Sequence, residues 1–300
     1  MLVLLFCKAS EVTAQQTYVY ATRDTFQLKL DVYHPAQPRT DSACVVYVFG
    51  GGFYNGARND KESVETCRTL ANHGYVAVSI DYRLGLRVLD RDTLSLFNLS
   101  SPFQRSITWA VEDCCAAVAY LYEHASELGI NTTRMVLTGS SAGAITVLQT
   151  DYARANGLSY AVALPASWKP CAVVSYSGGL YLKNRTLRYA SAPAPTCFFH
   201  GTADRIVNYR SFRSSLRYSL KGASKVVREF RKNDYTYAIL RFDGRGHEVC
   251  HFLPATIEEF SAFVDMAIDG RTMHYDATCS DGSLSEFPVT DMSIFKLYAQ

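Results

Sequence analysis

Short apolar runs rich in β-branched and aromatic residues recur along the chain and predict strands. They lie at 17–21, 26–32, 44–49, 76–80, 135–138, 172–176, 196–200 and 237–242. From 44–49 onward the runs are continuously apolar, which is typical of parallel strands buried on both faces. The first two runs alternate between apolar and polar residues and lie close together, so they predict a hairpin at one edge of a sheet.

Helical periodicity is present between several of these strands. Apolar residues recur at three- and four-residue spacing in two series, Ile107, Val111, Cys114, Val118, Leu121 and Tyr209, Phe212, Leu216, Leu220. A last helix is predicted at about 255–268, followed by a tail with no assigned structure. Because strands and helices alternate, we expect a doubly wound α/β domain. Its sheet should be mostly parallel, with about eight strands, right-handed crossovers and helices on both faces.

The composition is that of one large folded domain. The chain has 300 residues, of which 48% are apolar and 19% charged, enough for a sizeable core. Its 30 basic and 28 acidic side chains give a net charge of +2, with no long run of either sign. The charge therefore indicates neither a nucleic acid nor a membrane surface as partner. Beyond the N-terminus, no segment reaches the roughly 20 apolar residues of a membrane span.

The first fourteen residues have the pattern of a signal peptide. An apolar start is followed by Val12 and Ala14, small residues at the −3 and −1 positions that a signal peptidase needs. We expect cleavage after Ala14 and export of residues 15–300, as a single domain, to the periplasm or the outside of the cell. The alternative interpretation is a cytosolic N-terminus.

The nine cysteines do not form a recognisable framework. Their spacing is irregular in a chain of this length, and no pair has the spacing of a zinc finger. Four of them lie within predicted strands or helices, where cysteine usually acts as a small buried apolar residue: Cys44, Cys114, Cys115 and Cys197. The sequence leaves any disulfide pairing open, with Cys250 and Cys279 as one candidate.

A Gly-x-Ser-x-Gly motif lies between a predicted strand and a helix-forming segment. It reads Gly139-Ser140-Ser141-Ala142-Gly143. In that context the motif predicts a sharp strand-to-helix turn that lifts the Ser141 hydroxyl above the sheet as a nucleophile. The small residues at 139 and 143 permit the tight turn, and the helix that follows points its amides at developing negative charge. The alternative is a flexible turn without chemistry.

Three consecutive glycines, 50–52, follow the strand at 44–49. Glycines let backbone amides approach a substrate oxygen without interference from side chains, as an oxyanion hole requires. We expect the amides of Gly51, Gly52 and Ala142 to be the donors. The alternatives are an inert turn or a phosphate loop, although the sequence patterns of a phosphate loop are absent.

Serine needs a base that is held by a third group, and two loops supply candidates. Asp204 follows the strand at 196–200 and His247 follows the strand at 237–242. Both lie beyond the carboxyl ends of strands, where open α/β sheets bind ligands. Three neighbours are competing candidates. His200 lies inside the strand and is better explained as buried structure, His251 follows His247 by four residues, and Asp243 is a second acid on the same loop as the base. We assign Asp204 as the acid and His247 as the base.

Five motifs together resemble the esterase and lipase branch of the α/β-hydrolase superfamily. They are Phe-Gly-Gly-Gly-Phe-Tyr-Asn-Gly (49–56), Asp-Tyr-Arg-Leu (81–84), Gly-Ser-Ser-Ala-Gly (139–143), His-Gly-Thr-Ala-Asp (200–204) and Gly-Arg-Gly-His (244–247), in the family's order. The resemblance covers about 45–263, and within this branch the chain is similar to carboxylesterases, hormone-sensitive-lipase-like proteins and feruloyl or acetyl-xylan esterases. It implies acyl transfer to Ser141 and then to water, with no metal or organic cofactor. Many relatives have histidine where this chain has Phe49.

The substrate is less constrained by the sequence. Phe53 and Tyr54, beside the glycines, are candidate substrate-binding residues, and the long segment 85–103 is a candidate lid. By analogy with the family, short-chain or aromatic esters, including those of plant carbohydrate, are the expected substrates. A serine peptidase or a lipase of the same fold is the first alternative. A catalytically inactive binding protein is the second.

Overall fold

The computed structural model describes residues 15–88, 99–183 and 186–280. The predicted signal peptide, 1–14, and most of the predicted lid, 89–98, lie outside the described residues. All eight predicted strands are present. The twelve described strands are β1 Gln16–Arg23, β2 Phe26–Tyr33, β3 Cys44–Val48, β4 Val76–Ile80, β5 Met135–Ser140, β6 Ala172–Tyr176, β7 Gly179–Lys183, β8 Thr196–Gly201, β9 Ser211–Arg213, β10 Tyr218–Gly222, β11 Tyr237–Phe242 and β12 His274–Cys279.

Nine of these strands form the central sheet, in the order β1-β2-β4-β3-β5-β6-β8-β11-β12. β1 and β2 form the predicted antiparallel hairpin at one edge, and β2 is antiparallel to β4. The seven strands from β4 to β12 are parallel. Every residue of β3, β4, β5, β6 and β8 is buried. This burial on both faces explains why these strands are continuously apolar.

Five α-helices accompany the sheet in the described residues: α1 Lys61–Asn72, α2 Ser100–Glu123, α3 Ala142–Ala155, α4 Ala223–Lys232 and α5 Ile257–Ile268. α2 and α5 confirm the predicted helices. α2 packs against α3, while α1 packs with the short turn that leads into α5. No helix in the described residues is both long and apolar enough to cross a bilayer.

The helix predicted from the series Tyr209 to Leu220 is wrong. The segment forms β9 and β10, and β10 pairs with both β7 and β9 in a separate antiparallel sheet of three strands. Leu216 lies in the connection between β9 and β10 and is 86% exposed, whereas Leu220 is buried. Tyr218 stacks on Tyr181 of β7 at a ring distance of 5.5 Å. Pairing with β7 supplies the backbone hydrogen bonds and the burial, so tertiary contacts override the helical spacing.

The cysteines behave as buried thiols. All eight cysteines in the described residues are free, so the candidate disulfide between Cys250 and Cys279 is wrong. Six of the eight are buried. Burial raises the pKa of Cys114 to about 12, which leaves its thiol protonated and unreactive at neutral pH.

Candidate active site

Ser141 occupies the sharp turn between β5 and α3. Its backbone has φ = 50° and ψ = −113°, and its amide donates to the carbonyl oxygen of Tyr176 at 2.9 Å. The motif glycines are required by close packing, since a Cβ on Gly143 would overlap the carbonyl oxygen of Val48. A Cβ on Gly139 would lie 2.7 Å from the same oxygen. Neighbouring backbone therefore fixes the turn, and the left-handed φ of Ser141 is the strained conformation expected of such a site.

The structure brings Ser141, His247 and Asp204 together. His247 Nε2 lies 2.8 Å from Ser141 Oγ, and His247 Nδ1 lies 2.8 Å from Asp204 Oδ2. The three residues follow β5, β11 and β8, whose carboxyl ends lie at one edge of the parallel sheet. With a proton on Nδ1, the imidazole donates to Asp204 and accepts the hydrogen bond from the serine hydroxyl.

Asp204 is held as an ionised acceptor. Its Oδ1 accepts from the amides of Ile206 and Val207 at 2.9 and 3.0 Å. Burial alone would raise the pKa of this carboxyl. However, the charge of His247 and the hydrogen bonds from His200 and His247 outweigh burial and lower the pKa below its ordinary value. Asp204 is therefore a carboxylate at any pH at which an imidazole is neutral.

His200 lies beside the acid and not beside the nucleophile. Its side chain is fully buried, with Nε2 at 2.9 Å from the carbonyl oxygen of Val207 and 3.3 Å from Asp204 Oδ2. Both neighbours are acceptors, so Nε2 carries a hydrogen and donates. From its position inside the strand, the sequence favoured a buried structural role for His200 over that of the base, and the structure confirms that His200 is buried. Its place in the His-Gly-Thr-Ala-Asp motif was the available signal for a role at Asp204.

The other rival residues contact different partners. His251 Nδ1 lies 2.6 Å from Glu62 Oε1, and Asp243 Oδ1 accepts from the hydroxyl of Thr202 at 3.0 Å. The acid and base loops are joined through their backbones, because the amide of Ala203 donates to the carbonyl oxygen of Arg245 at 2.9 Å. This contact fixes the distance between the two loops independently of the side chains.

The glycine loop lies directly against the serine turn. A Cβ on Gly50 would lie 3.3 Å from the Cβ of Ser141. Gly51 and Gly52 have φ of 95° and 63°, the left-handed region that glycine adopts without strain, and the amide of Asn55 donates back to the carbonyl of Gly51 at 2.9 Å. Gly51 and Gly52 line the same cavity as Ser141 and His247. Ala142 is the first residue of α3. The role of the Gly51, Gly52 and Ala142 amides as an oxyanion hole remains a prediction.

Tyr82 contacts the glycine loop on its other side, a role that was not predicted from the sequence. Its ring stacks on Phe49 at 4.5 Å with an interplanar angle of 27°. Its hydroxyl lies 3.0 Å from the carbonyl of Phe49 and 3.1 Å from that of Gly50, to which it can donate. The second residue of the Asp-Tyr-Arg-Leu motif thus supports the loop in a chain that has Phe49 where many relatives have histidine.

The two predicted substrate-binding residues differ in position. Tyr54 lines the cavity that contains Ser141. Phe53 does not, because its side chain is fully buried and packs edge-on against Phe103 and Tyr82 at ring distances of 5.5 and 6.2 Å. The prediction for Phe53 is therefore wrong, since it is a core residue beneath the loop.

The cavity has a volume of about 410 Å³. Part of its wall, here called the polar wall, is formed by polar side chains outside the glycine loop. The start of α1 contributes Asp60 and Glu62, and the turn after His247 contributes Cys250 and His251. Asp60 caps α1, because its Oδ1 accepts from the amide of Ser63 at 2.8 Å. Among the described residues, no group of three or more His, Cys, Asp or Glu side chains could hold a metal ion.

Comparisons with known proteins agree with this architecture. The sequence pattern of the Carboxylesterase family matches residues 27–158. Lipase 2 of Moraxella sp. (strain TA144) is 36% identical over 105 residues, which cover 35% of this chain and 20% of that protein. Ethyl acetate hydrolase of Pseudomonas putida is 28% identical over 209 residues, covering 64% and 59% of the two chains. The chain thus spans less than two thirds of the length of these curated relatives.

A solved structure supports the fold over a larger part of the chain. The thermophilic esterase Est2 of Thermogutta terrifontis matches with a TM-score of 0.59 at 20% identity, covering 85% of this chain and 91% of that one. The strand order, the match to the family pattern and the named relatives agree with one another. The chain therefore has the α/β-hydrolase fold, and its residues 27–158 are similar to the Carboxylesterase family.

Proposed function

We propose that this protein hydrolyses carboxylic esters with Ser141 as nucleophile, His247 as base and Asp204 as acid. The observation that carries the proposal is the pair of 2.8 Å contacts that join the three side chains. The perturbed Asp204 carboxyl and the strained backbone of Ser141 are further signs of a functional site. The match of residues 27–158 to the Carboxylesterase family and the similarity to an ethyl acetate hydrolase support the reaction class.

In the first half of the reaction, His247 Nε2 takes the proton of Ser141 as Oγ attacks the ester carbonyl carbon. The carbonyl oxygen becomes an oxyanion, which the amides of Gly51, Gly52 and Ala142 would bind, each donor supplying roughly 2.7–4 kcal/mol. When the bond to the leaving oxygen breaks, His247 returns the proton to the alcohol and the acyl group stays on Ser141.

In the second half, a water molecule replaces the alcohol. His247 removes a proton from the water as it attacks the acyl-enzyme, and returns that proton to Ser141 Oγ when the carboxylic acid leaves. Asp204 keeps a hydrogen on Nδ1 and stabilises the imidazolium that forms in both halves. No step requires a group from outside the chain other than water.

Short-chain or aromatic esters are the substrates that we propose. Its volume of about 410 Å³ must hold both the acyl group and the alcohol, and polar residues make up much of its wall. The relative named ethyl acetate hydrolase and a second one named arylesterase, 28% identical over 144 residues, support the same class. Carbohydrate esters with small acyl groups fall within it.

Hydrolysis of p-nitrophenyl esters from acetate to palmitate tests the proposal. We expect a preference for acetate and butyrate, and at least a thousandfold loss of kcat in Ser141→Ala, in line with roughly 10⁴–10⁶-fold losses on removing such nucleophiles. A fluorophosphonate should label the wild type and Ser140→Ala, a control at the adjacent serine, but not Ser141→Ala. Turnover of palmitate alone would indicate a lipase. Labelling without turnover of any ester would point to a peptidase, and absence of labelling to a binding protein.

Export of the protein is a separate proposal that rests on residues 1–14. The expected mature protein begins at Gln15. N-terminal sequencing of the protein from its native host tests this cleavage, and a protein that retains Met1 would contradict it.

A further inference from the structure

We propose that the pair formed by Glu62 and His251 binds the leaving alcohol, and that this alcohol is a neutral polyol. This inference rests on the proposed ester hydrolysis and names the substrate class at the same site. It arises from a polar wall of the catalytic cavity to which neither the sequence motifs nor the proposed catalytic steps assign a role.

The position of His251 relative to the base is the first observation. His251 ends the short turn His247–His251, which begins with the proposed base. Its Nδ1 lies 2.6 Å from Oε1 of Glu62, in the first turn of α1. Both residues line the cavity that also contains Ser141 and His247. The pair therefore forms one wall of the reaction space.

The reaction geometry indicates which part of an ester meets this wall. His247 must return a proton to the leaving oxygen, so that oxygen has to lie within hydrogen-bonding distance of Nε2. The carbonyl oxygen lies instead towards the amides of the loop 50–52. The alcohol consequently leaves on the side of His247, where the turn that follows this residue places His251 and, through it, Glu62.

The chemistry of the pair selects the type of alcohol. The side chains of Glu62 and His251 are 44% and 42% exposed, so a substrate can reach them. The hydrogen bond that His251 donates to Glu62 outweighs partial burial and raises the pKa of His251, which favours the protonated form of the imidazole. Asp60, the other acid of this wall, already accepts from the amides of Ser63 and Ala57.

A neutral polyol fits these charges better than the other classes of alcohol. Its hydroxyls can donate to the carboxylate of Glu62 and leave the contact between Glu62 and His251 intact. An alkyl chain in the same place would remove water from these two polar side chains without replacing its hydrogen bonds, which is unfavourable. A cationic alcohol would be repelled by the protonated form of His251, which the raised pKa favours.

Glyceryl monoacetate and n-propyl acetate form a matched pair of substrates, because their alcohols differ only by two hydroxyl groups. The measured quantity is the ratio of their kcat/KM values, glyceryl over propyl, for the wild type, Glu62→Leu, Glu62→Gln and the control Glu65→Leu, an exposed position on the same helix. We expect a wild-type ratio of at least about ten, since tenfold corresponds to about 1.4 kcal/mol. Glu62→Leu should lower the ratio roughly tenfold, Glu62→Gln less, and Glu65→Leu not at all.

Several results would overturn the inference. A wild-type ratio near one, or a ratio that Glu62→Leu and Glu62→Gln leave unchanged, would show that the pair does not recognise hydroxyl groups. An equal loss of kcat/KM with both substrates would show that the pair has a purely structural role. A preference for acetylcholine over the other acetates would contradict a neutral alcohol. If Glu62→Leu does not fold, Glu62→Gln decides. Failure of the proposed function differs from all of these, because the wild type would then hydrolyse neither substrate.

Discussion

Replacing His200 by leucine removes a hydrogen-bond donor from the acid side of the catalytic arrangement. In the native protein its Nε2 lies 2.9 Å from the carbonyl oxygen of Val207 and 3.3 Å from Asp204 Oδ2, the oxygen that also faces His247. Leucine fills most of the same buried volume but offers no donor. Asp204 keeps its two amide donors, so we expect it to stay in place with more negative charge on Oδ2.

Two magnitudes follow from these distances. The buried carbonyl of Val207 loses a donor, which should lower the free energy of unfolding by about 1–3 kcal/mol. The contact with Asp204 is long, so its loss should favour the protonated form of His247 by only about 0.7 kcal/mol, or roughly 0.5 pH unit at 1.36 kcal/mol per unit. Since protonated His247 cannot act as a base, the acid limb of the kcat/KM profile should move to higher pH.

The assay is the pH dependence of kcat/KM with p-nitrophenyl acetate, recorded between pH 5 and 9 beside a thermal melt. His200→Gln is the control, because its amide can still donate, and its acid limb should lie nearer that of the wild type. A lower melting temperature for His200→Leu with an unshifted acid limb would refute the reasoning and leave His200 as a core residue. A shift to lower pH would refute the sign.

Three further changes test other parts of the site. Asp204→Asn should lower kcat about 10⁴-fold. Because folding lowers the pKa of Asp204, the ionised carboxylate stabilises the fold above its unfolded pKa of about 4, and this stabilisation is lost as the pH falls through the folded pKa. The melting temperature of Asp204→Asn should therefore depend less on pH in acid than that of the wild type. Tyr82→Phe keeps the stacking on Phe49 but removes the hydroxyl that contacts the glycine loop. With p-nitrophenyl acetate we expect kcat to fall roughly tenfold with little change in KM. An unchanged kcat would show that the hydroxyl does not support the glycine loop. Gly143→Ala should destabilise the fold by about 4 kcal/mol or more because its Cβ would overlap the carbonyl of Val48, and a circular-dichroism melt like that of the wild type would contradict this.

The sequence predicted the central strands because each is buried on both faces and therefore continuously apolar. It missed β12, a largely exposed strand with the sequence His-Tyr-Asp-Ala-Thr-Cys whose structure comes from pairing with β11. It missed β7 and assigned a helix to the region of β9 and β10, because these strands form a small sheet of their own. In both regions the local sequence did not predict a strand, because the strand forms only by pairing with a partner.

Within the site, the sequence alone indicated Ser141, Asp204 and His247, since each follows a strand in a recognisable motif. Parallel strands end at the same edge of a sheet, so residues separated by as many as 106 positions can be expected to meet there. The direction of a side chain in a loop has no such rule. Phe53 and Tyr54 are adjacent, yet only packing decides that Phe53 enters the core and Tyr54 the cavity.

The positions of the buried central strands along the chain and the candidate catalytic residues at their ends were thus indicated by the sequence, because burial and tight turns restrict which residues can occupy those positions. Only the tertiary structure decided which side chains support the site. Tyr82 meets the carbonyls of the glycine loop, His200 meets Asp204, and Glu62 meets His251 across 189 residues. These contacts depend on loop paths set by the packing of the whole domain, which local sequence patterns do not encode.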